Sequence, residues 1–117
     1  MSDFKPSFSM LGWALNEEAN IEEYVRRAEA FLRSITADFE LVVIDDGSTD
    51  RTASILEGLQ RDRPWLKVSR NERNRGSGYN TRRAISLATK QYVFWQMVDW
   101  SYDLSILPEA LPYLERV

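Results

Sequence analysis

The sequence has no cysteine and no histidine among its 117 residues. These absences exclude disulfides, thiolate nucleophiles, zinc sites of the usual ligand types and any Ser-His or Cys-His relay. Long apolar runs are absent as well, since stretches such as LVVI and YVFW are far shorter than the ~20 residues that cross a bilayer. Chemistry must therefore rest on carboxylates, hydroxyls, amides and cations. We expect a soluble, cytoplasmic chain with no membrane span and no signal peptide.

The chain also lacks an excess of positive charge. Its 15 Lys and Arg and 18 Asp and Glu give a net charge of -3, so no overall cationic field would gather phosphate backbones. Nucleic acid is therefore not an expected partner, although basic residues are dense between Lys67 and Arg83. A chain of this length, 44% hydrophobic, can bury roughly two-thirds of its unfolded surface as one domain. We expect that single domain to cover residues 1–117.

Four apolar runs alternate with four helical patterns along the chain. Strands are predicted at residues 8–15, 39–45, 65–71 and 91–99. The second run is nearly all apolar, which is typical of a strand covered on both faces in a parallel sheet, and the third alternates like an edge strand. Strand and helix in strict alternation predict the α/β class, a Rossmann-like three-layer α/β/α sandwich with a mainly parallel sheet.

Helix signals follow each strand. The first helix has one apolar stripe, made of Ile21, Tyr24, Val25, Ala28, Phe31 and Leu32. Asn20 and Glu23 have the spacing of a capping box at its start. Ser48 or Asp50 can cap the second helix. The third helix turns Ala84, Leu87 and Ala88 inward, and a last helix interrupted by prolines is predicted within residues 104–117.

Carboxylates stand at the predicted ends of two strands. Asp45 and Asp46 end the second strand and Asp99 ends the fourth, where ligands bind in open α/β sheets. If the first strand lies between them, the two sites are ~10 Å apart at ~4.8 Å per strand, which leaves room for a nucleoside. Carboxylates gathered there favour a cation, and oxygen ligands alone favour Mg²⁺ or Mn²⁺ bridging to a diphosphate.

Simpler interpretations remain open for these acids. Asp50 and Ser48 fit turn and cap chemistry. Asp45 is equally well explained as packing support beside Asp46, and Asp99 as a solvated acid at a strand end.

Four segments in this order, LNEEANIEEYV, FELVVIDDGSTDRTASIL, VSRNERNRGSGYNTRRAI and YVFWQMVDWSYDL, resemble the family 2 glycosyltransferases of the GT-A fold, especially the branch similar to dolichyl-phosphate mannose synthase. The resemblance covers nearly the whole chain. It implies the N-terminal, donor-binding half of an inverting glycosyltransferase, an enzyme that moves a sugar from a nucleoside diphosphate sugar to an acceptor. Family catalytic domains are longer, so we expect a truncated domain with little or no activity of its own. A polyprenyl phosphate is one option for the acceptor, which would place the full-length protein at the cytoplasmic face of a membrane.

The resemblance also implies roles for individual residues. Asp46 reads the base edge and Asp99 is the catalytic, metal-binding carboxylate, with Ser101 as a further metal ligand for Mg²⁺ or Mn²⁺. The residues expected to bind the nucleotide sugar are Trp13, Leu15, Glu17, Asp45, Asp46, Gly76, Gly78 and Arg82.

This sequence departs from the family pattern at several of these positions. The Asp-x-Asp motif falls on residues 97–99 and reads Met-Val-Asp, and the thioether of Met97 is a poor ligand for a hard cation. Trp13 replaces a proline and Leu15 a tyrosine, so Trp13 either stacks on the base or packs in the core. Ser77 replaces a frequent lysine of the family. Either Arg75, Arg82 or Arg83 takes over the phosphate contact of that lysine, or these arginines are simply solvated.

Two alternative functions remain at this level. Met97 favours a non-catalytic nucleotide-sugar-binding domain, or pseudoenzyme. A phosphoacceptor receiver domain has a similar size and clustered aspartates, but it would carry its acidic pair after the first strand rather than the second.

Overall fold

Strands and helices alternate throughout residues 5–114, the part of the chain that this computed structural model describes. In chain order the elements are β1 (Phe8–Ala14), α1 (Ile21–Ile35), β2 (Phe39–Asp45), α2 (Thr52–Gln60), β3 (Leu66–Arg70), α3 (Ser77–Leu87), β4 (Tyr92–Trp95) and α4 (Ile106–Leu114). The strands form one parallel sheet in the order β3-β2-β1-β4. The predicted α/β architecture is confirmed, as is the position of the first strand between the second and the fourth.

The two faces of the sheet carry separate apolar clusters. Leu41 and Val43 of β2 pack with residues of α1 and α2 on one face, while Val42 and Ile44 pack with Ala84 of α3 on the other. All seven residues of β2 are buried, as expected for a strand covered on both sides. At the edge, β3 buries only its first residue. Within residues 5–114 no helix combines the length and the apolar character needed to cross a bilayer.

The fourth strand is shorter than predicted. It ends at Trp95, so the expectation that Asp99 finishes a strand is wrong. The cause is Gln96, whose backbone N–H still donates to Leu11 O at 3.0 Å. Its buried side chain then accepts the N–H groups of Met97 and Tyr102 and donates to Tyr102 O, all within 2.8–3.1 Å. These bonds curl the chain out of the sheet and place Asp99 in a loop.

The helix starts lie where the sequence predicts them, but the predicted caps differ. Asn20 makes no side-chain cap bond to α1, so the capping-box prediction is wrong. The carbonyl of Glu17 accepts the N–H groups of Asn20 and Ile21 instead. At α2, Asp50 Oδ1 accepts the Thr52 N–H at 2.9 Å although Arg51 holds the N-cap position. The final helix is described to Leu114, and the rest of that prediction lies outside the described residues.

Candidate functional site

Two loops at the carboxyl edge of the sheet are joined by Asn16. This residue adopts φ +54°, a left-handed conformation that asparagine tolerates better than most residues. Its Oδ1 accepts the backbone N–H groups of Thr49 at 2.8 Å and Asp50 at 3.3 Å, while its own N–H donates to Ser48 Oγ at 2.9 Å. Ser48 therefore joins the loops rather than capping α2. The β1–α1 loop, which carries Leu15 and Glu17, is held against the β2–α2 loop.

The role of Asn16 in joining the two loops was missed by sequence reasoning. The signal available was an asparagine directly after an apolar strand, a residue type that adopts the left-handed conformation and bonds neighbouring backbone. Its partners lie more than 30 positions away, and no local pattern points to them.

Asp46 is buried at the end of β2 and receives three hydrogen bonds. Oδ1 accepts from Asn71 Nδ2 at 2.9 Å and from the Arg75 N–H at 2.7 Å, and Oδ2 accepts from the Gly76 N–H at 3.2 Å. Burial raises the pKa of Asp46, but the bonds from Arg75 and Asn71 outweigh it and leave the pKa below its ordinary value. The carboxylate therefore stays charged and secures the loop between β3 and α3.

Asp45 has a different position although it is the adjacent residue. It is fully buried, its Oδ1 accepts the Ser48 N–H at 3.0 Å, and Arg70 Nε lies 3.6 Å from Oδ2. No donor within the described residues hydrogen-bonds to that second oxygen. Burial of the whole side chain favours the packing-support role for Asp45 over direct contact with a ligand.

A pocket of about 240 Å³ lies between the ends of β1 and β4. Seven residues line it: Trp13, Ala14, Leu15, Glu17, Met97, Val98 and Asp99. Trp13 is half-buried, and its ring meets Trp95 edge to face with 5.7 Å between centroids. Trp13 thus packs against a strand residue and also lines the pocket, so the two roles considered for it are compatible.

The pocket unites only some of the predicted site residues. Trp13, Leu15, Glu17 and Asp99 line it, whereas Asp45, Asp46, Gly76, Gly78 and Arg82 do not. The glycines and Arg82 lie around the start of α3, where Gly76 adopts φ +88° and Arg82 is exposed. The predicted set therefore separates into a β1–β4 group and a β2–α3 group.

The loop that carries Asp99 is positioned by Tyr24 of α1. Its hydroxyl donates to Gln96 O at 2.7 Å, and burial raises the pKa of this phenol, which keeps it neutral and able to donate. Gly12 of β1 leaves the space for this contact, because an added Cβ would lie 2.5 Å from the Tyr24 oxygen and 2.6 Å from Gln96 O. The sequence identified Tyr24 only as a core residue, and the polar contact was not foreseen.

Asp99 is exposed and makes one hydrogen bond, in which its Oδ1 accepts the Ser101 N–H at 3.1 Å. Its Oδ2 has no donor within residues 5–114, and Ser101 is also exposed. In the same range no three acidic side chains come together as a ready-made metal site. One carboxylate and one hydroxyl suit a hard cation that takes its other ligands from a diphosphate and water, the usual situation of Mg²⁺.

Sequence comparisons point to one family of proteins. The family model described as Glycosyl transferase family 2 matches residues 13–116. Undecaprenyl-phosphate 4-deoxy-4-formamido-L-arabinose transferase of Pseudomonas fluorescens is 36% identical over 101 residues, which are 85% of this chain and 28% of that protein. The transferase of the same name from Edwardsiella ictaluri is 33% identical over 117 residues, 97% of this chain and 35% of its own. The chain spans about a third of the length of these relatives.

Solved structures share the fold. The mannosyltransferase PcManGT of Pyrobaculum calidifontis, in complex with GDP-Man and Mn²⁺, superposes with a TM-score of 0.76 at 24% identity, over 96% of this chain and 33% of that one. TarS of S. aureus in complex with UDP-GlcNAc superposes with a TM-score of 0.74 at 30% identity, over 94% of this chain and 31% of that one. The fold expected from the sequence is confirmed along nearly the whole chain.

Proposed function

The chain belongs to glycosyl transferase family 2, and we propose that it forms the donor-binding part of an inverting glycosyltransferase. In this proposal a sugar passes from a nucleoside diphosphate sugar to an acceptor. The observation that carries it is the pocket at the carboxyl ends of β1 and β4, where Trp13, Glu17 and Asp99 meet. The UDP-GlcNAc complex of TarS supports a nucleotide-sugar ligand. Family membership leaves the receiver-domain alternative without support.

Residues of the β1–β4 group have complementary chemistry for a nucleoside. We assign the half-buried ring of Trp13 to the base, because an aromatic face stacks on any nucleobase. Glu17 is half-buried and fixed through its backbone N–H, which donates to Thr52 Oγ1 at 2.8 Å. Its carboxylate can accept hydrogen bonds from hydroxyls of the nucleoside. Leu15 adds an exposed apolar surface at the rim.

In this proposal the residues of the β2–α3 group mainly order the loop beside the donor site. Asp46 already receives three in-chain hydrogen bonds, so it orders the loop that carries Gly76. Contact of Asp46 with the base edge, and of Gly78 and Arg82 with the sugar nucleotide, stay predictions. An exposed arginine near the start of α3 suits a phosphate or sugar hydroxyl.

Asp99 and Ser101 are the proposed holders of Mg²⁺ or Mn²⁺. When bound, such a cation supplies charge neutralisation for the departing diphosphate, a term that commonly dominates this kind of catalysis. Asp99 would contribute Oδ2, which accepts from no donor within residues 5–114. The N–H of Ser101 donates to the other oxygen, Oδ1, and so orients the carboxylate.

A polyprenyl phosphate is the acceptor we propose, acting at the cytoplasmic face of a membrane. The relatives named as undecaprenyl-phosphate transferases support this class of acceptor. A phosphate oxygen carries negative charge at neutral pH, so it can attack the anomeric carbon without a general base. An alcohol acceptor would need such a base.

Titration calorimetry with a panel that includes UDP and GDP tests the donor site, with and without Mn²⁺. We expect one nucleoside diphosphate to bind and Mn²⁺ to tighten the complex. Trp13→Ala should weaken the Kd about tenfold, because stacking on a base is worth roughly 1–3 kcal/mol. Tyr102→Ala removes an exposed aromatic ring outside the pocket and serves as the control. Absence of binding by every member of the panel to a folded sample would contradict the donor site.

A non-catalytic nucleotide-sugar-binding domain is the second candidate, and Met97 favours it. Met97 lines the pocket and occupies the first acidic position of the family's Asp-x-Asp motif. The discriminating change is Met97→Asp, assayed for sugar transfer in a full-length protein. If the native site is catalytic, transfer should change little. If the domain is non-catalytic, restoring the second carboxylate should raise transfer and its dependence on Mn²⁺.

A further inference from the structure

Positive charge is concentrated in one part of this acidic chain. Residues 63–98 contain eight Arg and Lys but a single acid, Glu72, whereas the other residues contain seven basic and 17 acidic side chains. Some of the eight are paired, since Lys67 contacts Glu40, Lys90 contacts Asp38 and Arg63 contacts two acids. Arg70 lies 3.6 Å from the buried carboxylate of Asp45. The other four have no ion-pair partner within residues 5–114, and they are Arg73, Arg75, Arg82 and Arg83.

Four arginines of this segment line one cavity of about 430 Å³, a volume within the range of small-molecule sites. They are Arg70 at the end of β3, Arg73 and Arg75 in the following loop, and Arg83 of α3. We call this the arginine cavity. Within residues 5–114 no carboxylate lies within ion-pair distance of Arg73, Arg75 or Arg83, and Glu72 is the one acid in the lining.

Contacts within the chain orient three of these guanidinium groups. Arg75 stacks over the ring of Tyr79 with 4.3 Å to its centroid, and Arg83 Nε donates to Ser69 Oγ at 3.4 Å. Arg70 donates to Ser48 O at 3.2 Å. Guanidinium groups held in advance lose less side-chain entropy when they bind an anion.

The loop that carries Arg73 and Arg75 is itself anchored. Its first residue, Asn71, is buried and donates to both Asp46 and Asn80, and the N–H of Arg75 donates to Asp46. The backbone of Arg73 lies against Gly47, where an added Cβ would overlap it. These contacts make the arginine cavity a built feature of the fold rather than a chance cluster of mobile side chains.

We propose that the arginine cavity is a second ligand site, which takes a phosphate-bearing group with at least two negative charges. Arginine is suited to this group because its planar fork donates two parallel hydrogen bonds to phosphate oxygens. The cavity shares no lining residue with the β1–β4 pocket, and the inference does not rest on the proposed donor function. A soluble phosphate compound and a phospholipid headgroup present the same chemistry.

Inorganic pyrophosphate is the probe for this site. Titration in low salt with EDTA, which removes divalent cations, should give saturable binding that weakens as NaCl rises. The double variant Arg73→Gln/Arg75→Gln should weaken the Kd about tenfold or more. Arg61→Gln changes an exposed arginine outside the cavity and should leave the Kd unchanged. Circular dichroism would verify that each variant is folded.

A parallel flotation assay distinguishes the source of the phosphate. Vesicles of phosphatidylcholine with phosphatidic acid, compared with phosphatidylcholine alone, test a headgroup ligand. Binding of pyrophosphate or of the acidic vesicles that requires Arg73 and Arg75 supports the site. The proposal is overturned if neither probe binds or if the double variant binds like the parent, which would locate the anion outside the arginine cavity.

Discussion

Asp46 and Asp99 lie beyond two strands of the same sheet, yet their surroundings have little in common. Asp46 is 4% exposed and accepts hydrogen bonds from three residues. Asp99 is exposed, lies in a loop and accepts one bond from a residue two positions away. The hydrogen bonds of Asp46 tie its carboxylate to the fold, whereas the single bond of Asp99 leaves most of its carboxylate accessible to a ligand.

The difference arises from what covers each strand end. Gly47 adopts φ +78° and lets the backbone of Arg73 approach closely, so the loop between β3 and α3 lies over the end of β2 and supplies donors. After the end of β4, the backbone N–H groups of Met97 and Tyr102 donate to the side chain of Gln96 instead. Within residues 5–114 no donor reaches Oδ2 of Asp99, so this oxygen is available to a ligand.

The largest predicted effect on stability concerns a third carboxylate, that of Glu40. Like Asp46 it is buried, but it lies near the opposite end of β2. Glu40 is 2% exposed. Burial raises its pKa, but hydrogen bonds from Lys67, Ser9 and Thr89 outweigh burial and lower the pKa to about 2. A lowered folded-state pKa gives stability that is present above the unfolded value, near 4.5, and is lost as the pH falls towards 2.

As the pH falls, protonation of Glu40 should lower the free energy of unfolding by about 2–3 kcal/mol. Urea unfolding at pH 7, 4.5 and 3 should show a smaller acid loss in Glu40→Gln than in the parent. Glu57→Gln changes an exposed acid and should retain the full loss. If the free energy of unfolding falls equally with pH in the parent and in Glu40→Gln, the charged form of Glu40 does not stabilise the fold.

Asp46→Asn is expected to have the next largest effect on stability. In asparagine an NH₂ group replaces one carboxylate oxygen, so the side chain cannot accept from Arg75, Gly76 and Asn71 together. The NH₂ group would then face at least one N–H donor without an acceptor between them. Hydrogen bonds to a charged group are worth roughly 1.5–3 kcal/mol, so the free energy of unfolding should fall by about 2 kcal/mol in urea titrations at pH 7.

The same variant separates two roles for Asp46. If it orders the loop, pyrophosphate binding at the arginine cavity should weaken along with stability. If the free energy of unfolding is unchanged while affinity for a nucleoside falls, Asp46 reads the base directly, and the contrast with Asp99 disappears.

The sequence predicts the fold well because its signals are local. The apolar stripe of α1 and the continuous apolar run of β2 are visible in short windows, and burial follows them closely. The site is less predictable because its contacts join distant positions. Asp46 accepts hydrogen bonds from residues 25–30 positions away. The residue types of the run QMV do not indicate that hydrogen bonds of the Gln96 side chain end β4. Residue types marked the right edge of the sheet but not which carboxylate is enclosed.

The smallest expected effect on stability is that of Asp99→Asn, and this variant tests the comparison most directly. Asp99 makes one exposed hydrogen bond, which an asparagine oxygen can also accept, so the free energy of unfolding should change by less than about 0.5 kcal/mol. The Mn²⁺-dependent gain in nucleoside diphosphate affinity should nevertheless be lost in calorimetry, because an amide oxygen carries no formal charge for the cation.

The chain supplies a matched control for this change in Asp103. Asp103 Oδ1 accepts the Ser105 N–H at 2.9 Å, the same turn that Asp99 forms with Ser101, and it is also exposed. Only Asp99 lines the β1–β4 pocket. Asp103→Asn should therefore leave nucleotide affinity and its Mn²⁺ dependence unchanged. If both variants lose the Mn²⁺ effect equally, general negative charge in the loop is responsible, and Asp99 has no ligand role that distinguishes it from its neighbour.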